Sequence, residues 1–320
     1  MLVAEATRFG GPEVLVARQA PDPVAEPGQV VIEVAAADVL FVEAQVRRGW
    51  GQEYFPVRPP YVPGDGVAGT VVAVGTGVDR GWLGRRVVGY TGSTDAYAER
   101  AVVPADHLAR VPDELDLLDA AALSHDGPMA LTLLAAAAPG TGETALVLGA
   151  NGGAGLLVVQ LAAAAGVRVI GAARGERKQD LVRQAGAAEV LDPSAPGAVA
   201  RLGDTGGVDV VFDGVGGEIG TAAFDVVRRG GRFFGYGAPS GGFAGVTAAE
   251  AERRGIGWYG LETLARARDE VTTLAERAFA AAAAGRLRPV LGRVYALRDA
   301  AAAHAATESR AVVGKILLQP

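Results

Sequence analysis

Short runs of β-branched hydrophobic residues, separated by glycine and proline, mark the first hundred or so residues of the chain. Residues 29–34 and 69–75 are two such runs, and this pattern with turn residues at both ends is typical of β-strands. Proline-rich loops, such as residues 53–64, lie between them. The pattern predicts a β-rich region at the start of the chain.

The pattern changes from about residue 120, where helical runs alternate with short apolar strands. Such alternation predicts a parallel, doubly wound sheet whose ligand lies beyond the carboxyl ends of its strands. A helix is predicted at residues 271–284, and strand-like segments return at residues 293–295 and 313–318. We therefore expect the end of the chain to rejoin the β-rich region. The predicted strands of the alternating region are residues 145–148, 168–171, 190–191, 208–212 and 232–235.

A glycine-rich turn joins the first of these strands to the helix that follows it. Residues 146–155 have the pattern of a buried strand, a turn and a helix start, with Gly149, Gly152 and Gly155 at equal spacing. Glycines allow a tight turn and close approach of phosphate, and the free N–H groups of a helix start favour negative charge. The spacing departs from the common G-x-G-x-x-G. The turn therefore predicts a dinucleotide pyrophosphate site, with an ordinary strand-to-helix turn as the alternative.

Two cations follow the second strand of this region. An NAD site usually has an acid there, which binds the ribose 2′-hydroxyl, but this chain has Arg174, with Lys178 one helical turn later. Two cations at this place can bind a 2′-phosphate, which indicates NADPH. Two alternatives remain: the cations are simply solvated, or Glu176 reaches the ribose instead.

The composition narrows the classes of function. The 320 residues are half apolar and carry a formal net charge of −6 at pH 7, so we expect two globular domains and no nucleic-acid surface. Because the chain has no cysteine, thiolate zinc sites are excluded, and His107, His125 and His304 are too widely separated to predict a metal site. We find no apolar run of membrane-spanning length and no signal-peptide pattern, so we expect a cytoplasmic protein without membrane contact.

Several segments, in the right order, resemble the zinc-independent quinone oxidoreductase branch of the medium-chain dehydrogenase/reductase superfamily. They are residues 7–15, 63–71, 95–99, 209–217, 230–233 and the ending His304 with residues 308–315. The resemblance covers nearly the whole chain. It implies a GroES-like β-barrel catalytic domain formed by residues 1–118 and 286–320, and a Rossmann domain with a doubly wound parallel sheet formed by residues 119–285. It also implies a homodimer.

The resemblance assigns the cofactor site residue by residue. The phosphate-binding turn of the family falls on residues 152–155, and its 2′-phosphate cations fall on Arg174 and Lys178. The loops that follow the fourth and fifth strands are expected to flank the nicotinamide and its ribose. Pro193 stands where relatives often have a tyrosine that contacts the ribose. The implied cofactor-binding residues are Gly152, Gly153, Ala154, Gly155, Arg174, Lys178, Gly214, Val215, Gly235, Tyr236, Gly237 and Arg310.

The acceptor pocket departs from the family pattern. Where relatives have Asn-Phe-x-Asp-x-Tyr, this chain has Leu40 and Gln45 in place of the asparagine and the tyrosine. The changed residues suggest a larger or more apolar acceptor, as in a tailoring step of secondary metabolism. Tyr54, in a nearby loop, either donates a hydrogen bond to the acceptor oxygen or packs over the prolines of that loop.

His125 and Asp126 are the candidate acid–base residues. Because imidazole titrates near neutral pH, His125 can donate a proton to a developing enolate or phenolate. Asp126 either tunes and orients this histidine or only caps the following helix. His304 is predicted to be structural.

Three functions remain open at this point. The first is an NADPH-dependent, zinc-independent reductase that transfers hydride to a quinone or an α,β-unsaturated carbonyl compound, since hydride transfer without zinc requires an acceptor that is already electrophilic. The second is an NADPH-binding protein with little turnover. The third is non-redox acid–base chemistry on the same scaffold.

Overall fold

A computed structural model describes residues 1–320, which form two compact units. The first unit comprises Met1–Pro128 and Ala267–Pro320, and the second comprises Met129–Arg266. The elements of the first part of the chain are β1 (Leu2–Ala6), β2 (Leu15–Gln19), β3 (Gln29–Val39), α1 (Phe41–Arg47), β4 (Gly66–Val74), β5 (Arg86–Tyr90), β6 (Arg100–Pro104), β7 (Leu108–Arg110) and α2 (Leu117–Leu123). Helix α3 (Asp126–Ala137) begins in the first unit and continues into the second.

The second unit alternates strands with helices, and the chain then returns to the first unit. The elements of the second unit are β8 (Thr144–Leu148), α4 (Gly153–Ala164), β9 (Arg168–Ala172), α5 (Glu176–Gln184), β10 (Glu189–Leu191), α6 (Arg201–Asp204), β11 (Val208–Asp213), α7 (Gly217–Asp225), β12 (Val227–Gly235), α8 (Ala248–Arg254), β13 (Gly257–Tyr259) and α9 (Leu261–Leu264). The returning elements are α10 (Arg268–Ala283), β14 (Leu291–Ala296), α11 (Ala300–Ser309) and β15 (Lys315–Gln319).

A seven-stranded sheet forms the centre of the first unit. Its order is β14-β15-β3-β4-β5-β7, and β6 pairs with β3 as well. The late strand β15 runs antiparallel to the early strand β3, with Leu317 opposite Asp38. Valines and isoleucines of β3 and β4, such as Val30, Ile32 and Val67, are fully buried in the core of this unit. The strands predicted at residues 29–34 and 69–75 lie within β3 and, except for the last residue, β4.

A six-stranded parallel sheet forms the centre of the second unit. Its order is β10-β9-β8-β11-β12-β13, so the chain winds outward in one direction from β8 and in the other from β11. Buried Leu146, Phe224 and Phe233 belong to its core. The predicted parallel, doubly wound sheet is therefore confirmed. Ligands of such sheets lie beyond the carboxyl ends of the strands where the winding reverses. We therefore expect the ligand site at the carboxyl ends of β8 and β11.

The compact units divide the chain differently from the predicted boundaries at residues 118 and 286. Residues 119–128 and 267–285 group with the first unit. Helix α2 packs on β3 and β4, and α10 packs on β7 and α2. Because both helices are rich in alanine and leucine, as the helices of the second unit are, composition could not assign them. None of the helices combines the length and the apolar character that crossing a membrane requires.

Candidate functional site

The turn between β8 and α4 has a backbone that only glycine suits at two positions. Gly149, directly after β8, has φ of +67°, a left-handed conformation that favours glycine. A Cβ at Gly155 would lie 2.4 Å from the carbonyl oxygen of Gly149, so a side chain there would push the helix away from the strand. Gly152 is the N-cap residue of α4. The amides of Gly153 and Ala154 therefore belong to the helix start, whose first N–H groups have no acceptor within the helix.

The loop after β9 carries the two candidate phosphate-binding cations. Arg174 is exposed, and Lys178 lies in the first turn of α5. The amide of Ala173 donates to the carbonyl of Leu191 at 3.0 Å, and the Gln179 amide group donates to the carbonyl of Ala173 at 3.1 Å. The backbone before Arg174 is thus held on both sides.

The loops after β11 and β12 meet each other beside the glycine turn. The amides of Val215 and Gly216 donate to Asp213 Oδ1 at 2.9 and 2.8 Å, which fixes the first loop. A Cβ at Gly214 would lie 2.6 Å from the hydroxyl oxygen of Tyr236, so the two loops are in close contact. A Cβ at Gly149 would lie 3.2 Å from the side chain of Val215. The structure therefore brings the glycine turn together with the loops that contain Gly214, Val215, Gly235, Tyr236 and Gly237.

Two further candidates, Arg310 and Tyr54, belong to the first unit. Arg310 ends α11 with φ of +54°, and its guanidinium carbon lies 5.7 Å from the centre of the Phe41 ring. Tyr54 is 65% exposed. Its hydroxyl has no hydrogen-bond partner in the chain.

His125 lies between α2 and α3, with one carboxylate at each ring nitrogen. Its Nδ1 is 2.8 Å from Asp38 Oδ2, and its Nε2 is 3.2 Å from Asp65 Oδ2. The ring packs edge-to-face on Tyr90 with 5.3 Å between centroids. Burial alone would lower the pKa of His125, but the charges and hydrogen bonds of Asp38 and Asp65 raise it to about 10. His125 is therefore an imidazolium at neutral pH, and both of its N–H groups are bonded.

A buried lysine connects Asp38 to Asp126. Lys315 Nζ lies 3.2 Å from Asp38 Oδ2 and 3.3 Å from Asp126 Oδ2, and Lys315 is only 6% exposed. Asp126 is the first residue of α3, and its carboxylate pairs with Lys315 instead of His125. On the other side, Arg268 lies 3.5 Å from Asp65 Oδ2.

These six side chains, which we call the charge cluster, balance in charge. Three carboxylates face two permanent cations and His125, so the cluster is neutral only when His125 is protonated. Unbalanced charge is costly in a buried place, and the balance therefore supports the protonated form. The charge cluster consists of Asp38, Asp65, Asp126, His125, Arg268 and Lys315.

A second polar network lies around His304, in the same unit. Since an arginine only donates, His304 Nδ1 accepts from Arg47 at 3.2 Å. The Nε2–H group then donates to the Tyr97 hydroxyl at 3.0 Å, and this hydroxyl donates to Glu43 Oε2 at 2.6 Å. Burial, and then the Arg47 charge, lower the pKa of His304 to about 3. Burial and the nearby Asp38 charge raise the pKa of Glu43 to about 8. Arg47 also pairs with Glu308.

Sequence reasoning did not find Asp38, Asp65, Arg268 and Lys315 as members of the site. A signal was present for two of them. Asp38 is a carboxylate in the apolar stretch of β3, and Lys315, one of only two lysines in the chain, opens the buried strand β15. A charged residue in a buried strand needs a partner, so each of these positions indicates a counter-ion elsewhere in the chain.

Comparison with known proteins gives matches over the full chain. Residues 26–113 match the family described as alcohol dehydrogenase GroES-like domain, and residues 185–318 match the family described as zinc-binding dehydrogenase. A quinone oxidoreductase of Sus scrofa is 32% identical over 97% of this chain and 95% of that protein. A quinone oxidoreductase of Pseudomonas aeruginosa is 32% identical over 98% of this chain and 97% of that protein. The structure of the Escherichia coli quinone oxidoreductase complexed with NADPH superposes with a TM-score of 0.92, at 30% identity and full coverage of both chains.

The residues of this chain do not fit the zinc ion that one family description mentions. No group of three or more histidine, cysteine, aspartate or glutamate side chains is arranged to hold a metal ion. In the charge cluster, both ring nitrogens of His125 are bonded to carboxylates, and these carboxylates are paired with Lys315 and Arg268. A zinc ligand needs a free lone pair on the imidazole, and the protonated His125 offers none.

Proposed function

Because the chain belongs to the quinone oxidoreductase family of the medium-chain dehydrogenase/reductase superfamily, we propose that it transfers hydride from NADPH to a quinone or an α,β-unsaturated carbonyl compound. The observation that carries this proposal is the similarity over the whole length of the chain to a quinone oxidoreductase in complex with NADPH. When bound, NADPH supplies the hydride.

The second unit offers binding groups for both phosphate positions of NADPH. The amides of Gly153 and Ala154 at the start of α4 can receive the pyrophosphate, since a helix N-terminus favours anions. The 2′-phosphate fits Arg174 and Lys178, because guanidinium and ammonium groups form charge-assisted hydrogen bonds with phosphate. Gly152 and Gly155 keep the turn free of side chains.

The joined loops after β11 and β12 are proposed to hold the nicotinamide end. Gly214, Gly235 and Gly237 have no side chain there, which allows close approach of a flat ring, and Val215 and Tyr236 belong to the same two loops. In the first unit, Arg310 is proposed as a further cofactor contact.

In the first unit, His125 is proposed as the proton donor to the acceptor oxygen, with Asp126 acting on it through Lys315 and Asp38. Tyr54, whose hydroxyl is free, is a second candidate hydrogen-bond donor. Leu40 and Gln45 favour a larger or more apolar acceptor than a simple quinone, such as the substrate of a tailoring step in secondary metabolism.

We also propose a homodimer. Strand β13 is the edge of the parallel sheet, and Trp258 on it is 36% exposed. An exposed strand edge can pair with a second copy. Light scattering after size-exclusion chromatography gives the molar mass directly, and a monomer across the micromolar range contradicts this assignment.

The decisive experiment is the oxidation of NADPH, followed at the nicotinamide absorbance, with a panel of benzoquinones, naphthoquinones and enones. We expect turnover with at least one class and a clear preference for NADPH over NADH. The Arg174→Ala/Lys178→Ala variant should lose this preference, by about tenfold for each lost charge-assisted contact. Arg177→Ala, an exposed arginine on the same helix, is the matched control.

Three results contradict the proposal in different ways. Tight NADPH binding without oxidation across the panel favours a binding protein with little turnover. Formation of product without net oxidation of NADPH favours non-redox acid–base chemistry. Equal loss of preference in Arg177→Ala rejects the specific pairing of Arg174 and Lys178 with the 2′-phosphate.

A further inference from the structure

The two hydrogen bonds of His125 are unequal. Its Nδ1 is 2.8 Å from Asp38, which is fully buried and held by the Lys315 ammonium. Its Nε2 is 3.2 Å from Asp65, whose side chain is 16% exposed. The His125 side chain is itself 22% exposed. Asp38 is therefore the fixed anchor of the imidazole, and the bond to Asp65 is the longer one, on the side where solvent reaches the pair.

Asp65 does not depend on His125 for its hydrogen bonds. Its Oδ1 accepts from the amides of Gly92 and Ser93 at 2.7 and 3.2 Å. Its Oδ2, which faces His125, also lies 3.5 Å from Arg268. If the bond to Nε2 opens, Asp65 keeps a cation and two backbone donors. His125 Nε2–H, in contrast, then needs another acceptor.

Gly66 fixes the ring on the Asp38 side. A Cβ at this position would lie 2.8 Å from the His125 Cε1 atom and 2.8 Å from Asp38 Oδ1. The ring therefore lies directly against the backbone at the start of β4, with Tyr90 packed edge-to-face on it. These contacts hold the ring in place, so opening the Nε2 bond requires movement of Asp65 and not of the imidazole.

We propose that Asp65 occupies, in the resting protein, the place of the acceptor oxygen, and that the acceptor displaces it from His125 Nε2 onto Arg268. This inference rests on the proposed function, because it makes His125 the proton donor. As hydride reaches a carbon of the acceptor, negative charge develops on its oxygen. The Nε2–H bond then breaks and an O–H bond forms. His125 is left neutral, with its remaining proton on Nδ1 facing Asp38, and water returns the proton to Nε2.

The displacement also makes His125 a stronger acid at the moment when it is needed. Both carboxylates raise its pKa to about 10 in the resting protein. When a neutral carbonyl oxygen replaces Asp65, one of these two contributions weakens and the pKa falls. An acid with a pKa between neutral pH and that of a phenol, which is about 10, can protonate a phenolate and still recover its proton from water. The charged and titratable groups around His125 are Asp38, Asp65, Asp126, Glu43, Tyr90, Arg268 and Lys315.

The test compares two variants that should change His125 in opposite directions. Asp65→Asn keeps an acceptor oxygen but removes the charge, so the pKa of His125 should fall and the acceptor should displace the side chain more easily. Arg268→Gln removes the cation with which the displaced Asp65 would pair. The pKa of His125 should therefore rise, and the acceptor should displace Asp65 less easily. The pKa is read by NMR from the imidazole signals, which only three histidines contribute. Asp113→Asn, at an exposed aspartate of the same unit, is the control.

The same variants are then assayed with NADPH and the best quinone of the panel. We expect Asp65→Asn to lower KM for the quinone about tenfold and to move the alkaline limb of kcat to lower pH, whereas Arg268→Gln should raise KM about tenfold. Asp38→Asn should lower kcat rather than change KM, since it loosens the anchor. A purely structural role of Asp65 would not change KM for the quinone in opposite directions in the two variants.

The failures of the inference and of the proposed function are distinguishable. If Asp65→Asn and Arg268→Gln shift the His125 pKa or KM in the same direction, or not at all, while wild-type protein reduces quinones, the inference is overturned and the function stands. If His125→Gln retains full quinone turnover, the proton-donor assignment is overturned together with the inference. If wild-type protein oxidises no NADPH with any acceptor, the proposed function fails, whatever the NMR titration shows.

Discussion

His125, which is partly buried, and His304, which is fully buried, lie in the same unit and differ in charge. Each ring packs edge-to-face on a tyrosine, Tyr90 for His125 and Tyr97 for His304, with 5.3 and 5.6 Å between centroids. Yet the pKa of His125 is raised to about 10, and the pKa of His304 is lowered to about 3. At neutral pH the first is a cation and the second is neutral.

The neighbours of each ring, and not its depth in the core, account for this difference. Burial lowers the pKa of both histidines. Two carboxylates reverse this effect at His125, whereas the Arg47 guanidinium adds to it at His304. The comparison teaches that a histidine in the protein interior can be assigned a charge only after its charged partners are known, and every charged partner here comes from a distant part of the chain.

Removal of the Lys315 ammonium should have the largest effect on this comparison. In Lys315→Met, Asp38 and Asp126 lose the cation that lies between them, and breaking a buried ion pair costs about 3–5 kcal/mol. The pKa of His125 should rise further, because the cluster becomes negative. Urea unfolding followed by tryptophan fluorescence measures the loss. Arg8→Met, at an ion pair of 3.9 Å whose side chains are about two-thirds exposed, is the control and should cost less than about 1 kcal/mol. If Lys315→Met lowers the free energy of unfolding no more than Arg8→Met does, the prediction is contradicted.

The pH dependence of stability should separate the two histidines. His304 has a pKa of about 3 in the folded protein, against about 6.5 when unfolded, so the unfolded state binds the extra proton and stability falls as pH falls below 6.5. His125 has a pKa of about 10 when folded, so its contribution is full below pH 6.5 and is lost as pH rises toward 10. In a plot of the unfolding free energy against pH, His304→Gln should reduce the slope on the acid side and His125→Gln should reduce the slope on the alkaline side. Each reduction should be up to about 1.4 kcal/mol per pH unit.

Unfolding free energies between pH 4.5 and 9 are the measurement for these slopes. Wild-type protein and His107→Gln, at a histidine outside both networks, provide the reference curves. If both variants reduce the slope on the same side, the assignment of a positive charge to His125 and of a neutral ring to His304 is wrong.

Removal of the Tyr90 or the Tyr97 hydroxyl should give the smallest losses of stability. The two losses show how strongly each histidine network depends on its tyrosine. In Tyr97→Phe, both Glu43 and His304 lose a buried partner, which we expect to cost about 1–3 kcal/mol. In Tyr90→Phe, only the bond to the Ser124 carbonyl is lost, which we expect to cost about 1 kcal/mol. The two variants keep the same aromatic packing and serve as controls for each other in thermal unfolding. A larger loss in Tyr90→Phe than in Tyr97→Phe contradicts the directed chain of hydrogen bonds around His304.

The features that could be predicted from the sequence involve residues close together along the chain, and the features that were missed involve residues far apart along the chain. The glycine turn could be predicted because Gly149, Gly152 and Gly155 act within one strand–turn–helix segment. Arg174 and Lys178 could be placed for the same reason, since both follow one strand. The parallel sheet followed from the regular alternation of strands and helices.

The charge cluster could not be predicted, because its members come together only through the pairing of distant strands. Asp38 meets Lys315 because β15 runs antiparallel to β3, and no local pattern specifies this register. His125 was recognised as a candidate because imidazole titrates near neutral pH, but the pairing of Asp126 with Lys315 instead of His125 depends on the same long-range contact. The role of His125 as proton donor and the cofactor contacts remain predictions.

The antiparallel pairing of β15 with β3 also has a consequence for the order of events during synthesis. About 280 residues separate Asp38 from Lys315, and at 5–20 residues per second the ribosome needs roughly 14–56 s to add them. All strands of the second unit are added within this interval, whereas the ammonium partner of Asp38 is added only at its end. Until Lys315 is added, Asp38 in the longest strand of the first unit can pair only with His125, and the unit acquires its final charge balance only when the last strand docks.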